Sequence, residues 1–214
     1  MTYNPKVAAG LAVMIASVGL MLIGQPSVQD KIERRSGEFD AALQAREVQI
    51  DPGELVELMH NNQVRLEILD VRDEADFNVF HLMDAKRVTL DDLHGPFAES
   101  IHPEAVVILV SNGEQRATEA WKLLKAATNA NAYVLEGGIN QWIRVYGSLS
   151  EHDPILRGKP AKNSEVLNYR FSVAVGDRDP ISWPDPHHME LPEREFTPKA
   201  KVLKAVTLSG GGCG

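Results

Sequence analysis

Apolar and polar residues change their spacing several times along this chain, and each change marks an expected element. Val7 to Gly24 (VAAGLAVMIASVGLMLIG) runs without a charge for about 18 residues, the short end of what a membrane-spanning helix needs. Gln25 to Glu47 is polar with scattered apolar positions and predicts a membrane-proximal linker, helical in part. Asp51-Pro52-Gly53-Glu54 is a capping-box pattern with proline at the first helical position, and Leu55, Leu58 and Met59 follow at helical spacing. Leu66 to Leu69, Ala105 to Val110 and Ala132 to Leu135 are short apolar runs that predict buried strands. Arg116 to Ala127 predicts a helix with Ala120, Leu123, Leu124 and Ala127 on one side.

This alternation predicts an α/β fold, a parallel sheet flanked by helices, with Val106 to Val110 as a central strand and Ser111 at its C-terminal edge. Periodicity fades after Gly147. Pro180, Pro184, Pro186, Pro192 and Pro198 remove backbone donors, so 151–199 reads as an extended arm crossing a surface. Lys201 to Leu208 predicts a docking strand, and SGGGCG a flexible tip. The expected division is an anchor at 1–24, a linker at 25–47, one α/β domain at 48–147 and an arm at 148–214.

At 214 residues the chain has room for one ordinary domain and its appendages. A formal net charge of -8 argues against a nucleic-acid partner, whose binding rests on phosphate neutralisation by clustered Lys and Arg. The one cysteine, Cys213, makes neither an internal disulfide nor a cysteine-based zinc site. For the apolar head two readings stay open, an uncleaved single-pass anchor and a cleaved signal peptide. The lack of a small-x-small cleavage site before Gln25 and Pro26 favours the anchor. Lys6 flanks one end and Lys31, Arg34 and Arg35 the other, so orientation is weakly set; the short head favours a periplasmic or otherwise non-cytoplasmic location for the rest.

Three stretches carry a resemblance. Within Leu69 to Ala85 (LDVRDEADFNVFHLMDA), the residues Asp70, Val71, Arg72, Asp76, Phe77, His81 and Ala85 resemble the Asp-Val-Arg strand end and following positions of the rhodanese family. Val106 to Leu124 is similar to that family's buried strand, active-site loop and helix. Leu135, Gly137, Gly138 and Trp142 resemble its Leu-x-Gly-Gly-x-x-x-Trp signature. Phe80 and Asp84 stand where the family usually has glycines, so the turn is expected to be drawn differently.

The family's loop begins with a cysteine and ends five residues later with Arg or Lys. A gapless alignment puts Ser111 at the cysteine position and Arg116 at the basic one; keyed on Gly113, it puts Val110 and Gln115 there instead. Either way the loop Ser111, Asn112, Gly113, Glu114, Gln115, Arg116 has no thiol, and a serine hydroxyl cannot carry a persulfide. The resemblance also implies that backbone N–H groups cradle an anion at this loop, and the Glu114 carboxylate is expected to repel one.

His81, Asp70, Arg72 and Trp142 read as structural. His187 and His188, with Asp185 nearby, are a weak metal-like cluster, because adjacent residues on an extended segment point opposite ways. The expectation is a membrane-anchored, catalytically inactive rhodanese-like domain, without cofactor, serving as a protein-binding or structural subunit of a membrane assembly. The alternative is a sulfur-handling protein, a sulfurtransferase or persulfide carrier, in which Cys213 supplies the thiol.

Overall fold

Five strands lie parallel in the order β1-β5-β4-β2-β3: β1 (Gln49–Ile50), β2 (Leu66–Asp70), β3 (Lys86–Arg87), β4 (Val106–Val110) and β5 (Asn131–Leu135). The computed structural model describes Met14, residues 26–159 and residues 164–202. The apolar head apart from Met14, most of Lys201–Leu208 and Cys213 lie outside the described residues; Lys201 and Val202 have no regular structure. Among the described residues no helix is long and apolar enough to cross a membrane.

β4 is apolar throughout because both its faces are covered. Val106, Ile108 and Val110 enter one core with Ile50, Leu135 and Trp142, while Val107 and Leu109 enter the other with Leu69, Val134 and Trp121. Helices α1 (Val28–Arg34) and α2 (Ser36–Gln44) precede the sheet; α3 (Pro52–Met59), α4 (Glu74–Val79), α5 (Pro96–Ser100), α6 (Gln115–Ala127) and α7 (Gly138–Tyr146) connect or follow its strands. The face of α6 that is buried is Ala117, Ala120, Trp121 and Leu124, and the Trp121 indole N–H donates to Ala132 O at 2.8 Å.

Three expectations are corrected. The stretch expected as a linker is folded onto the second core: Phe39 of α2 is buried, with its ring 5.1 Å from that of Trp121. The Asp51–Glu54 box caps on one side only, with Asp51 Oδ1 accepting from Gly53 N at 2.7 Å. Glu54 instead points under the C-terminal segment and accepts from Lys199 N at 2.7 Å and Ala200 N at 2.6 Å, while Asp51 pairs with Arg194. The turn after α4 keeps a left-handed residue despite losing its glycine, since Asp84 has φ 60°, a conformation Asp tolerates better than most residues.

Among the described residues, the segment after Gly147 holds one antiparallel pair of two-residue strands, β6 (Ile155–Leu156) with β7 (Tyr169–Arg170), and is otherwise irregular apart from 3-10 turns at Gly147–Leu149 and Pro180–Ser182. It is nevertheless part of the first core, to which it contributes Leu167, Phe171, Val175 and Ile181. Phe80, at a position expected to be glycine, has extended backbone (φ −160°), and its ring stacks on that of Phe171 with centroids 5.3 Å apart. The Trp142 indole N–H donates to Ile181 O at 2.7 Å. Backbone bonds from Val175 N to Val79 O, His81 N to Gly176 O and Met83 N to Ser182 O fasten the same segment beside the turn after α4.

Candidate functional site

The site forms where β4 ends and α6 begins, at the C-terminal edge of the sheet. Val110 is still a strand residue in the core, paired with Asp70, and Ser111 is the first residue of the loop. The Ser111 hydroxyl is fully buried: it accepts from Ala117 N at 3.2 Å and has Gly113 O at 3.1 Å to donate to. From the other side the start of α7 closes on the loop, with Ile139 N donating to Ser111 O at 2.9 Å and Asn140 N to Asn112 O at 3.0 Å. Glycine is needed for that approach. A Cβ at Gly138 would lie 2.2 Å from Gly113 O and 2.4 Å from Ser111 O, on backbone already at φ 60°.

Two buried groups frame the loop. The Arg72 guanidinium, fully buried, donates to both oxygens of Asp70, its Nη2 at 2.6 Å, and also to Phe80 O at 2.8 Å. This pairing agrees with the structural reading of Asp70 and Arg72, and Arg72 Nη1 also reaches Asn112 Oδ1 at 3.4 Å. His81 stands outside the loop, as a structural reading requires: its Nδ1–H donates to Phe77 O at 2.8 Å and its ring stacks on Phe77 at 3.8 Å.

Glu114 does not face the cradle. Its carboxylate turns towards the end of the supposed linker, where Arg46 grips it through two N–H groups at 2.6 and 3.0 Å, and it also accepts from Gly137 N at 2.8 Å. Sequence reasoning expected a repelling charge; the paired geometry makes Glu114 a strut between loop, α7 and Arg46. Hydrogen bonding to Glu114 outweighs the cost of burial and holds the Arg46 guanidinium above its ordinary range.

A different carboxylate occupies the cradle. Glu165 Oε1 accepts from Gln115 N at 2.7 Å and Arg116 N at 3.3 Å, the free donors of the first turn of α6, and lies 3.4 Å from Ser111 Oγ. Asn140 holds the segment that delivers it: its amide NH₂ donates to Ser164 O and Val166 O, each at 3.0 Å, and its Oδ1 accepts from Asn168 N at 2.7 Å. Asn112 adds a bond to Glu165 O at 3.0 Å and one to Asp76 at 2.5 Å. Neither Glu165 nor Asn140 was singled out in the sequence. Both lie outside the loop motif, and no periodic pattern ties position 165 to position 115.

Beside Glu165 an open cleft of about 540 Å³ remains, lined by Arg72, Asp73, Asp76, Asn112, Arg116 and Glu119 among others. Arg116 reaches Asp73 at 3.2 Å, and its buried Nε has no partner. The cleft carries charges of both signs.

Among the described residues no group of three or more His, Cys, Asp or Glu is placed to hold a metal ion. His188 pairs with Asp185 at 2.5 Å within a local turn, and His187 donates only its backbone N–H to the same carboxylate, at 2.8 Å.

Residues 51–144 match the rhodanese-like domain family. A rhodanese-like domain from Anabaena sp. is 26% identical over 45% of this chain and 74% of its own, with a TM-score of 0.41. A rhodanese-like domain protein from Staphylococcus aureus is 24% identical over 44% of this chain and 89% of its own, with a TM-score of 0.39. A rhodanese-related protein from Thermoplasma volcanium is 19% identical over 45% and 90%, with a TM-score of 0.39. No curated protein matches the chain.

Proposed function

Residues 51–144 form a rhodanese-like domain, and from that premise we propose that it is catalytically silent and acts as a protein-binding or structural module, held at a membrane by the apolar stretch Val7–Gly24. The observation that carries the reading is Ser111. It is the first residue after the central strand, where the family resemblance puts the nucleophilic cysteine, and it is fully buried with its hydroxyl turned into the loop's own hydrogen bonds. A hydroxyl so placed offers no thiolate to attack sulfane sulfur and no sulfur to carry it. No histidine contacts Ser111 Oγ to act as a base, so a hydrolase-type serine mechanism has no support in the loop either.

A role as a module is supported by how much of the chain is fixed around this loop. Arg46 from before the sheet and Glu165 from after it both converge there, so the former catalytic loop has become a junction that holds three parts of the chain together. Attachment to a membrane rests on the length and apolarity of Val7–Gly24.

The test is a thiosulfate:cyanide sulfurtransferase assay on the full-length protein and on a Cys213→Ser variant. Both should stay at background. Turnover in the full chain that disappears in Cys213→Ser moves the activity to the C-terminal thiol, and turnover that survives the substitution refutes the reading altogether.

A further inference from the structure

Glu165 is the feature that the absence of a thiol does not explain. Losing a nucleophile leaves a cradle with nothing to do; it does not require the chain to fill it. Yet the carboxylate lies on the donors of Gln115 and Arg116 at the N-terminus of a 13-residue helix, with its Oε1 3.4 Å from Ser111 Oγ.

The segment that brings it there is short and held by one side chain. Asn140 Nδ2 and Oδ1 together make three hydrogen bonds, to the backbone of Ser164, Val166 and Asn168, and Asn140 is only 9% exposed. Leu167 turns into the core beside it while Val166 is 69% exposed, so the segment crosses the site as a single layer of chain. Asn112, a loop residue, bonds to Glu165 O and so ties the segment to the loop it covers.

We propose that Ser164–Asn168 is an intramolecular blocking strap: it inserts the Glu165 carboxylate into the cradle as an internal ligand and closes position 111 to solvent and to small anions. The strap is fastened by Asn140 and Asn112 and is independent of whether residue 111 is serine or cysteine. Because it is part of the same chain, the carboxylate is present at high effective concentration, and a free anion must displace it to reach the helix N-terminus.

A thiol introduced at position 111 reports the closure directly. In the full-length chain with Cys213→Ser and Ser111→Cys, alkylation by neutral iodoacetamide is followed across pH to its high-pH plateau, where the thiol is fully ionised and the rate reports access alone. Adding Glu165→Ala or Asn140→Ala should raise the plateau rate at least tenfold. Adding Glu165→Gln, which keeps the bulk and removes the charge, should raise it less. Dispersed amide spectra identify which variants keep the fold, and Asn140→Ala, with Glu165 intact, carries the test if Glu165→Ala does not. A plateau rate that is the same with and without the strap substitutions in a folded protein, or one already equal to that of an unfolded peptide thiol in Ser111→Cys alone, overturns the strap. Neither result bears on turnover by the native chain, which tests the proposed function separately.

Discussion

Glu165 Oε1 accepts the backbone N–H of Gln115 at 2.7 Å across fifty residues of sequence, and that bond changes what it takes to reopen the loop. From sequence, Glu114 is the carboxylate in the way. In the structure Glu114 is a strut bound to Arg46 and Gly137, and Glu165 is the residue that fills the cradle.

Sulfur transfer by a Ser111→Cys variant should therefore depend on position 165. The Ser111→Cys variant alone should remain at background, because its thiol stands beside a carboxylate that disfavours the thiolate. Combining it with Glu165→Ala should give detectable thiosulfate sulfurtransferase activity, whereas combining it with Glu114→Gly should not. The assay is run in a Cys213→Ser background; equal activity of the two double variants would return Glu114 to the role of blocker.

The strut carries its own stability prediction. Glu114 is 8% exposed and makes hydrogen bonds to one guanidinium and one backbone N–H, and charged bonds of this kind contribute about 1.5–3 kcal/mol apiece. Glu114→Ala should thus lower unfolding stability by about 2–4 kcal/mol in urea titration. Arg46→Ala should cost less, since the Arg46 side chain is 41% exposed and Glu114 would keep its bond from Gly137 N. A loss under half a kcal/mol in Glu114→Ala would remove the strut from the account.

Much of the central sheet was legible because its signal is local. A continuous run such as Val106–Val110 has few alternatives to a strand buried on both faces, whereas the Gly137-Gly138 pair was legible only as part of a signature, its reason being the close approach of α7 to the loop, where a Cβ at Gly138 would strike Ser111 O. The residues that define the site's present state were not legible, for a common reason. Arg46, Asn140 and Glu165 act by polar contacts between segments that are remote in sequence, and such contacts leave no periodicity. Phe80 was visible as a departure from the expected glycine, but its cause was not: its ring packs on Phe171, which belongs to a segment whose prolines suggested mere surface chain.

Acid should loosen the C-terminal segment at a defined point. Burial alone would raise the Asp51 carboxyl, but hydrogen bonds from Arg194 and Gly53 outweigh it and hold it below the ordinary carboxylate value. A carboxyl depressed in the fold stabilises it at pH above the unfolded value of about 3.9, and that contribution fades as pH falls through the lower folded value. Arg194→Ala should move the Asp51 titration upward, read by carbon NMR of its carboxyl. An unchanged titration would mean that the Asp51–Arg194 pair does not persist in solution.

The segment after Gly147 should behave as a missing part of the core and not as a detachable arm. Leu167, Phe171, Val175 and Ile181 are each less than a tenth exposed, against the same cluster as Trp142 and Phe80, and burying one such side chain contributes about 1.5–3 kcal/mol before the cost of ordering the chain. Removing the segment uncovers Phe80 and Trp142 and leaves the Trp142 indole without its Ile181 partner. A chain ending at Ser150 should accordingly lose at least about 3 kcal/mol relative to one ending at Val202, or fail to fold. The longer chain should unfold in one transition with Trp142 and the residues of 167–181 exchanging together. Within the intact segment, Phe171→Ala should cost about 3–5 kcal/mol as a cavity beside Phe80. Residues 151–214 expressed alone should lack a cooperative transition, because their apolar side chains have no partner there to bury against. If the chain ending at Ser150 matched the longer one in urea midpoint and slope, the segment would be an appendage after all, and the burial of Phe171 would count for little in solution.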